Sequence, residues 1–384
     1  MTKLNKALMA TTAIAFASGL ALPAVAQDPT AAPGVVKSSK KMKLRLYGQI
    51  TRAAGVIDDG ESTTFNQMEN GNTSTRMGID GRGKITKDVS LRTRMEYQIQ
   101  NGDSNQETGQ GNDAGALTNR HLDAIFTHKR FGAVWIGRGD TATNGTSEKN
   151  LLPGGSAGRL GGRTDSLLGD AIVKDGNDNE VDTLSKFFSS FDGMSRRQRI
   201  RYDTPTIAGF RVGASAIDKY SFDLGVHYKG TVGGVKVAGG FGYANASRKD
   251  LNLGANVQDL QQINGSVSIL TPMGLGVTLA GGKQFIDEAD STVAERKPYN
   301  LQPAIFYTGK WTELGPTGIE YAYQYSEDVT AKDDEGQGHS VMFTQVLANT
   351  GTDTFVTFRY YDVDRNNTSA DDLWFFGAGF RARF

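Results

Sequence analysis

The chain has no cysteine, only four histidines and nine prolines among its 384 residues, and no net charge. Each scarcity excludes a class of function. Without cysteine there is no disulfide framework and no C-x-x-C chemistry. His121, His128, His227 and His339 fall in separate segments, and G-x-S-x-G, H-E-x-x-H and P-loop signatures are missing, so no catalytic motif is present. Forty-two basic residues balance forty-two acidic ones, which is not the charge of a nucleic-acid-binding protein. Past residue 26 no apolar run is long enough for a membrane helix. With 48 glycines and 38% hydrophobic residues, the chain is poorly suited to a large helical core.

What is present begins at the two ends. Residues 1–26 carry Lys3 and Lys6, an apolar run from Ala7 to Leu22 and a small-residue site at Ala24-Val25-Ala26. This reads as a secretory signal peptide, the run being shorter than the ~20 residues of a spanning helix. Residues 27–41, rich in Ala, Pro, Ser and Lys, read as a flexible leader ahead of a barrel domain at 42–384. At the other end, LWFFGAGFRARF (373–384) alternates strictly. Trp374, Phe376, Ala378, Phe380, Ala382 and Phe384 make one apolar face, while Gly377, Gly379, Arg381 and Arg383 make the other. One face suits lipid and the other water, and ~10 such residues cross a bilayer as one tilted strand of a closed barrel. The segment is similar to the terminal strand of Gram-negative outer-membrane β-barrels, which ends in Phe. That resemblance implies that Trp374, Phe376, Phe380 and Phe384 signal to the barrel assembly machinery.

Sixteen segments have strand character: 42–54, 73–86, 88–101, 117–128, 131–138, 196–204, 208–219, 220–230, 234–245, 259–270, 274–286, 297–309, 316–327, 337–348, 353–363 and 372–384. In the third, Val89, Leu91, Thr93, Met95, Tyr97 and Ile99 oppose Ser90, Arg92, Arg94, Glu96, Gln98 and Gln100. A sandwich could also bury an apolar face, but strands of ~10 to 12 residues exceed the usual ~5 to 6 of soluble sheets. The pattern predicts an all-β, transmembrane antiparallel barrel. Connections alternate short and long, as periplasmic turns and outer loops do, apart from a tight hairpin at 218–221 and a longer turn at 310–315. Pro303, inside the twelfth strand, predicts an irregular ladder.

Three motifs then carry a family resemblance: Leu46-Tyr47-Gly48-Gln49-Ile50, Ser74-Thr75-Arg76-Met77-Gly78-Ile79 and Ile136-Gly137-Arg138. With the run FDGMSRRQRIRYDTPTIAGF (191–210), the chain resembles the general diffusion porins, particularly the alphaproteobacterial kind. The resemblance implies a sixteen-stranded, water-filled barrel in the outer membrane, assembled as a homotrimer, whose third outer loop folds inward to form a constriction. It also places Arg120, in Arg-x-Leu-x-Ala, at a basic wall position.

Strand parity turns Arg76, Arg94, Arg197, Arg199 and Arg201 toward the lumen. The long segment 139–195 carries nine acidic residues against five basic ones, so Asp165, Asp170, Asp175, Glu180 and Asp182 are expected to face these arginines and set a transverse field. Asp175, Asp178, Glu180 and Asp182 also form an oxygen-rich stretch that could suit calcium, although it lacks EF-hand spacing. The same parity puts His121 and Asp123 on the outer face, beside a small-residue surface at Gly48, Gly81 and Gly83, where a partner subunit would cover them. The expected function is passive diffusion of small hydrophilic solutes and ions. Two alternatives stay open: a structural or adhesion barrel, and a lipolytic barrel enzyme using His121.

Overall fold

In a computed structural model the chain forms a closed barrel of sixteen antiparallel strands. The structure describes residues 35–37, 41–100, 116–155, 160, 167–168, 170–217, 220–247, 257–288, 296–366 and 368–384. The predicted signal peptide and most of the predicted leader lie outside these. The strands are β1 (Met42–Asp58), β2 in two pieces (Thr63–Glu69 and Arg76–Lys84), β3 (Val89–Gln100), β4 (Ala116–His128), β5 (Gly132–Asp140) and β6 (Arg196–Asp203). There follow β7 (Phe210–Ala216), β8 (Phe222–Val232), β9 (Val235–Ser247), β10 (Val257–Leu270) and β11 (Leu275–Glu288). The last five are β12 (Tyr299–Thr312), β13 (Gly315–Glu327), β14 (Glu335–Leu347), β15 (Thr352–Arg365) and β16 (Leu373–Arg383). Each strand pairs with its chain neighbours, and β16 pairs with β1 to close the ring.

Period-two alternation survives nearly everywhere, because one face must meet lipid and the other water. Leu46, Met77, Ile200, Leu224, Phe343 and Phe376 are all exposed on the outward parity. An apolar belt this continuous is foreign to a soluble surface. The longer turn expected at 310–315 is a tight one, since β12 runs to Thr312 and β13 starts at Gly315. Pro303 acts as its chemistry requires. It keeps its place opposite Leu279 of β11, but pairing with β13 breaks between Leu301 and Ala304, because proline has no N–H to give.

Two departures from the expected pattern matter for the lumen. In β2 the chain breaks at a single 3-10 turn, Gly71–Thr73, capped by the Asn70 side chain, which accepts from Asn72 N–H at 3.1 Å. The segment 63–69, expected as loop, extends the β1 hairpin instead. In β4 the register against β3 slips by one: His121 faces Glu96 while Asn119 faces Tyr97, leaving Arg120 as an extra residue. This β-bulge inverts parity beyond it. Leu122 therefore turns to lipid, and His121 and Asp123 turn inward and are buried, contrary to the expected outward placement.

The seam between β1 and β16 is sealed at its turn end by Phe384. Its N–H donates to Gly48 O at 3.1 Å, and Gly48 N–H donates to Phe384 O at 3.0 Å. The Phe384 ring lies over Gly48, where a Cβ would come within 2.5 Å of it. Since β16 ends opposite Gln49, the first residues of β1 would be left with a bare edge. Val35–Lys37, within the predicted leader, form a short strand against Lys43–Arg45 and cover it. Gly48→Leu should therefore force the seam apart at a cost of ~1–3 kcal/mol. The check is a lower temperature for conversion of the folded to the heat-unfolded band in gel electrophoresis.

Candidate functional site

The third outer loop, residues 141–195, accounts for what fills the lumen. Its first turn is pinned to β7 and β8: Ala142 N–H donates to Ser215 Oγ (2.7 Å) and Asp223 Oδ1 (3.1 Å), and Thr143 N–H donates to Asp223 Oδ2 (3.0 Å). Gly225 permits this approach, since a Cβ there would stand 2.2 Å from Ala142 O. The loop then crosses β10, with Lys149 N–H on Ser266 Oγ (2.9 Å) and Leu151 N–H on Ser268 Oγ (3.1 Å), and reaches β14, where Thr344 Oγ1 donates to Pro153 O (2.9 Å).

Leu152, Leu160, Leu167, Leu168, Phe187 and Phe188 of the loop are buried in one cluster with Ile57, Met68, Phe306, Met342, Phe355, Tyr361 and Phe375 of the wall. At roughly 1.5–3 kcal/mol for each large buried side chain, this apolar seat makes the inward position of the loop a packed state, not a loose excursion. The described residues of the loop thus cover the wall from β7 round to β1 and the first piece of β2, and leave a cavity against β3 to β6.

That open wall is basic, as parity required. Arg94 grips Asp123 with two hydrogen bonds (2.9 and 2.7 Å), and Arg199 Nη2 donates to the same carboxylate at 2.7 Å. Arg120 donates to Glu96 (2.8 Å) and Gln98 (2.8 Å), Arg76 to Gln49 Oε1 (3.3 Å), and Arg201 to Asp203 (2.8 and 3.1 Å). Trp135 of β5 lies beneath three guanidinium groups, those of Arg201, Arg94 and Arg199, at 4.8, 5.1 and 5.7 Å.

The partner carboxylates Glu96, Asp123 and Asp203 were overlooked as site residues. Glu96 and Asp203 were legible, each being two residues from an arginine on one strand and hence on the same face. Asp123 was hidden by the bulge. His121 sits 3.8 Å from Glu96 and 3.9 Å from Asp140, inside the barrel, so it is not placed for a lipolytic site on the outer face.

Of the five carboxylates expected to face the arginines, Asp175, Glu180 and Asp182 are seated elsewhere. Asp165 lies outside the described residues, and Asp170 is exposed on the loop. Ile172–Lys174 and Glu180–Thr183 form a small hairpin at the outer end of β1, β15 and β16, where Lys174 pairs with Asp59 (3.3 Å) and Asp182 with Arg365 (2.8 Å). Asp175 caps its own turn, accepting from Asn177 and Asn179 N–H at 2.9 and 3.0 Å, and these bonds hold its carboxyl below the usual range. Asp178 pairs with Lys174 at 2.7 Å, and Glu180 is exposed. Asp175, Asp178 and Asp182 thus already have donors, and among the described residues no cluster of three His, Asp or Glu is arranged for a metal.

Among the described residues, the loop carboxylates that share a cavity with the basic wall are Glu148 and Asp192. They and Arg120, Arg138, Arg196 and Arg197 line a cavity of about 560 Å³ in the lumen. Asp192 braces the loop, accepting from Gly145 N–H at 2.8 Å and from the Ser147 hydroxyl at 3.1 Å. Burial, reinforced by the Glu148 carboxylate, overcomes those bonds and pushes the Asp192 carboxyl up to about 7.

A polar lumen, an apolar exterior and an inward loop that narrows the passage define a transmembrane pore. The chain matches the family model of Gram-negative porins over residues 10–366 and belongs to that family. It is an outer-membrane diffusion channel.

Among solved structures it is similar to the anion-selective porin from Comamonas acidovorans, with 15% identity, a TM-score of 0.59 and coverage of 90% of this chain and 100% of that one. Similar too is OmpF of Salmonella typhi in complex with daunomycin (14%, TM-score 0.58, covering 91% and 100%). A third is in-vitro folded OmpT of Vibrio cholerae in its trimer form (14%, TM-score 0.55, covering 90% and 100%). No curated protein matches the chain.

The Arg199 and Asp123 side chains are both fully buried. Arg199→Gln should therefore cost about 1.5–3 kcal/mol by removing one charge-assisted hydrogen bond from a carboxylate that keeps Arg94, read as a lower midpoint of denaturant unfolding in detergent.

Proposed function

We propose that this channel passes small hydrophilic solutes with a preference for anions, and that it works as a homotrimer. One observation carries the selectivity: four arginines and only two carboxylates line the cavity between the inward loop and the wall. Two of these four are also paired, Arg120 with Glu96 (2.8 Å) and Arg196 with Asp140 (3.1 Å), as Arg94, Arg199 and Arg201 are with Asp123 and Asp203, so the local field rests on the excess of guanidinium over carboxylate groups at this cavity. In a salt gradient across a planar bilayer, the reversal potential should report anion preference. Arg120→Gln, Arg196→Gln and Arg197→Gln combined should shift it toward cations, and an unchanged potential would place these groups off the ion path.

Lowering the pH through about 7 should protonate Asp192 and remove a negative charge from the loop side. Anion preference should accordingly rise as pH falls. In Asp192→Asn it should stand at the low-pH value throughout, with little further change between pH 8 and pH 5.

The trimer rests on a different pair from the one expected. His121 and Asp123 are inside, but Arg52 and Glu69 pair at 3.4 Å on the outward parity, in a row with Phe380. An ion pair facing hydrocarbon at this depth costs several kcal/mol less when a protein partner covers it. Gly48, Gly81, Gly83, Ala54 and Ala378 give that face little relief, which suits close packing of a second copy. Three chain masses are expected by light scattering in mild detergent, and Arg52→Glu should shift the protein toward monomer. A single chain mass at every concentration would overturn this reading.

A further inference from the structure

The outward face of β9 to β12 is dented. Gly265 of β10 stands directly between Phe241 of β9 and Gly281 of β11, and Gly281 faces Leu301 of β12. Two adjacent glycines thus put bare backbone between two large side chains. The hollow measures about 500 Å³, with Ile263, Val267 and Leu279 along its sides. Through Val267 and Leu279 it continues toward the turns into a second hollow of about 340 Å³ beside Val277 and Ile305.

At the loop end of the hollow stands Lys283. It occupies a row with Tyr243, Ile263 and Tyr299 on neighbouring strands, the aromatic level at which a barrel meets the headgroups. Its ammonium lies 5.7 Å from the Phe285 ring, and among the described residues it has no carboxylate in ion-pairing range. The nearest acid along the row is Glu327, beyond Tyr299, and that carboxylate already accepts from the Tyr325 hydroxyl at 3.4 Å.

We propose that this groove binds one anionic, phosphate-headed lipid of the loop-side leaflet, its acyl chain lying over Gly265 and Gly281 and its phosphate on Lys283. The dimensions agree with a single leaflet. Six residues of β11 separate Lys283 from Val277, or roughly 20 Å at ~3.4 Å per residue. At a tilt near 40° this descends about 15 Å, half of a ~30 Å hydrocarbon core. An apolar belt alone would take any lipid, and the lysine at the headgroup level adds the choice of an anionic one.

The absence of cysteine makes the test direct. A fluorophore on Leu301→Cys would report from the groove, and one on Phe343→Cys of β14 would report from smooth belt. The protein is placed in phosphatidylcholine vesicles doped with brominated-chain phosphatidylglycerol or, in parallel, with brominated-chain phosphatidylcholine. At position 301 the anionic lipid should quench with an effective affinity about fivefold higher. Lys283→Gln should bring the two lipids level, and position 343 should show no preference in either background. The heat-shifted band of each variant confirms that it is folded. Equal quenching at 301, a preference that survives Lys283→Gln, or the same preference at 343 would each overturn the site.

Discussion

In a bilayer no water is present to satisfy a peptide group, so every N–H and C=O of a spanning strand must find its partner within the protein. That requirement closes the barrel, and closure governs the rest. It gives β1 two neighbours, fixes the register of all sixteen strands and forces alternate residues to face lipid and water. The seam between β1 and β16 is where the ladder joins the two ends of the barrel, and the paired hydrogen bonds of Gly48 and Phe384 sit at its end. Where pairing lapses, the lapse is local: a proline on β12, a single turn in β2, an extra residue in β4, and register shifts at the ends of β10 and β12.

Within the closed wall, charge is organised by pairing before it is organised by function. Buried guanidinium groups on β3 and β6 share Asp123, and the indole of Trp135 spreads beneath three of them. Such groups are held by their neighbours and contribute little free charge to the aqueous path. The field there comes instead from the few residues that border open water, which is why counting the charges of the loop misleads. Asp175, Asp178 and Asp182 of its acidic turn are taken up by the loop's own backbone, Lys174 and Arg365 at the outer mouth.

Strand number, strand parity and the inward arginines were legible in the sequence because a period of two is repeated some ten residues at a time, strand after strand. The inward loop was legible only through family resemblance. What could not be read were the departures of one residue. Nothing in Asn119-Arg120-His121 announces a bulge, yet the bulge moves His121 and Asp123 from one face of the wall to the other. The break at Gly71–Thr73 was equally silent, since the Asn-Gly-Asn-Thr stretch reads as an ordinary outer loop. The seat of the loop depends on which leucines and phenylalanines find the inner wall. Those side chains carry no period of their own.

The attachment of the third loop has a mechanical consequence. Adjacent strands in a barrel are joined by hydrogen-bond rows that can hinge, so an empty cylinder of sixteen strands flattens easily under uneven lateral pressure. Here the loop is bonded to β7, β8 and β10 on one flank and packed against β14, β15, β16 and β1 on another. It therefore serves as a cross-brace. The cross-section is held from inside, and the width of the aperture is set by a strut within the molecule and not by the tension of the membrane around it.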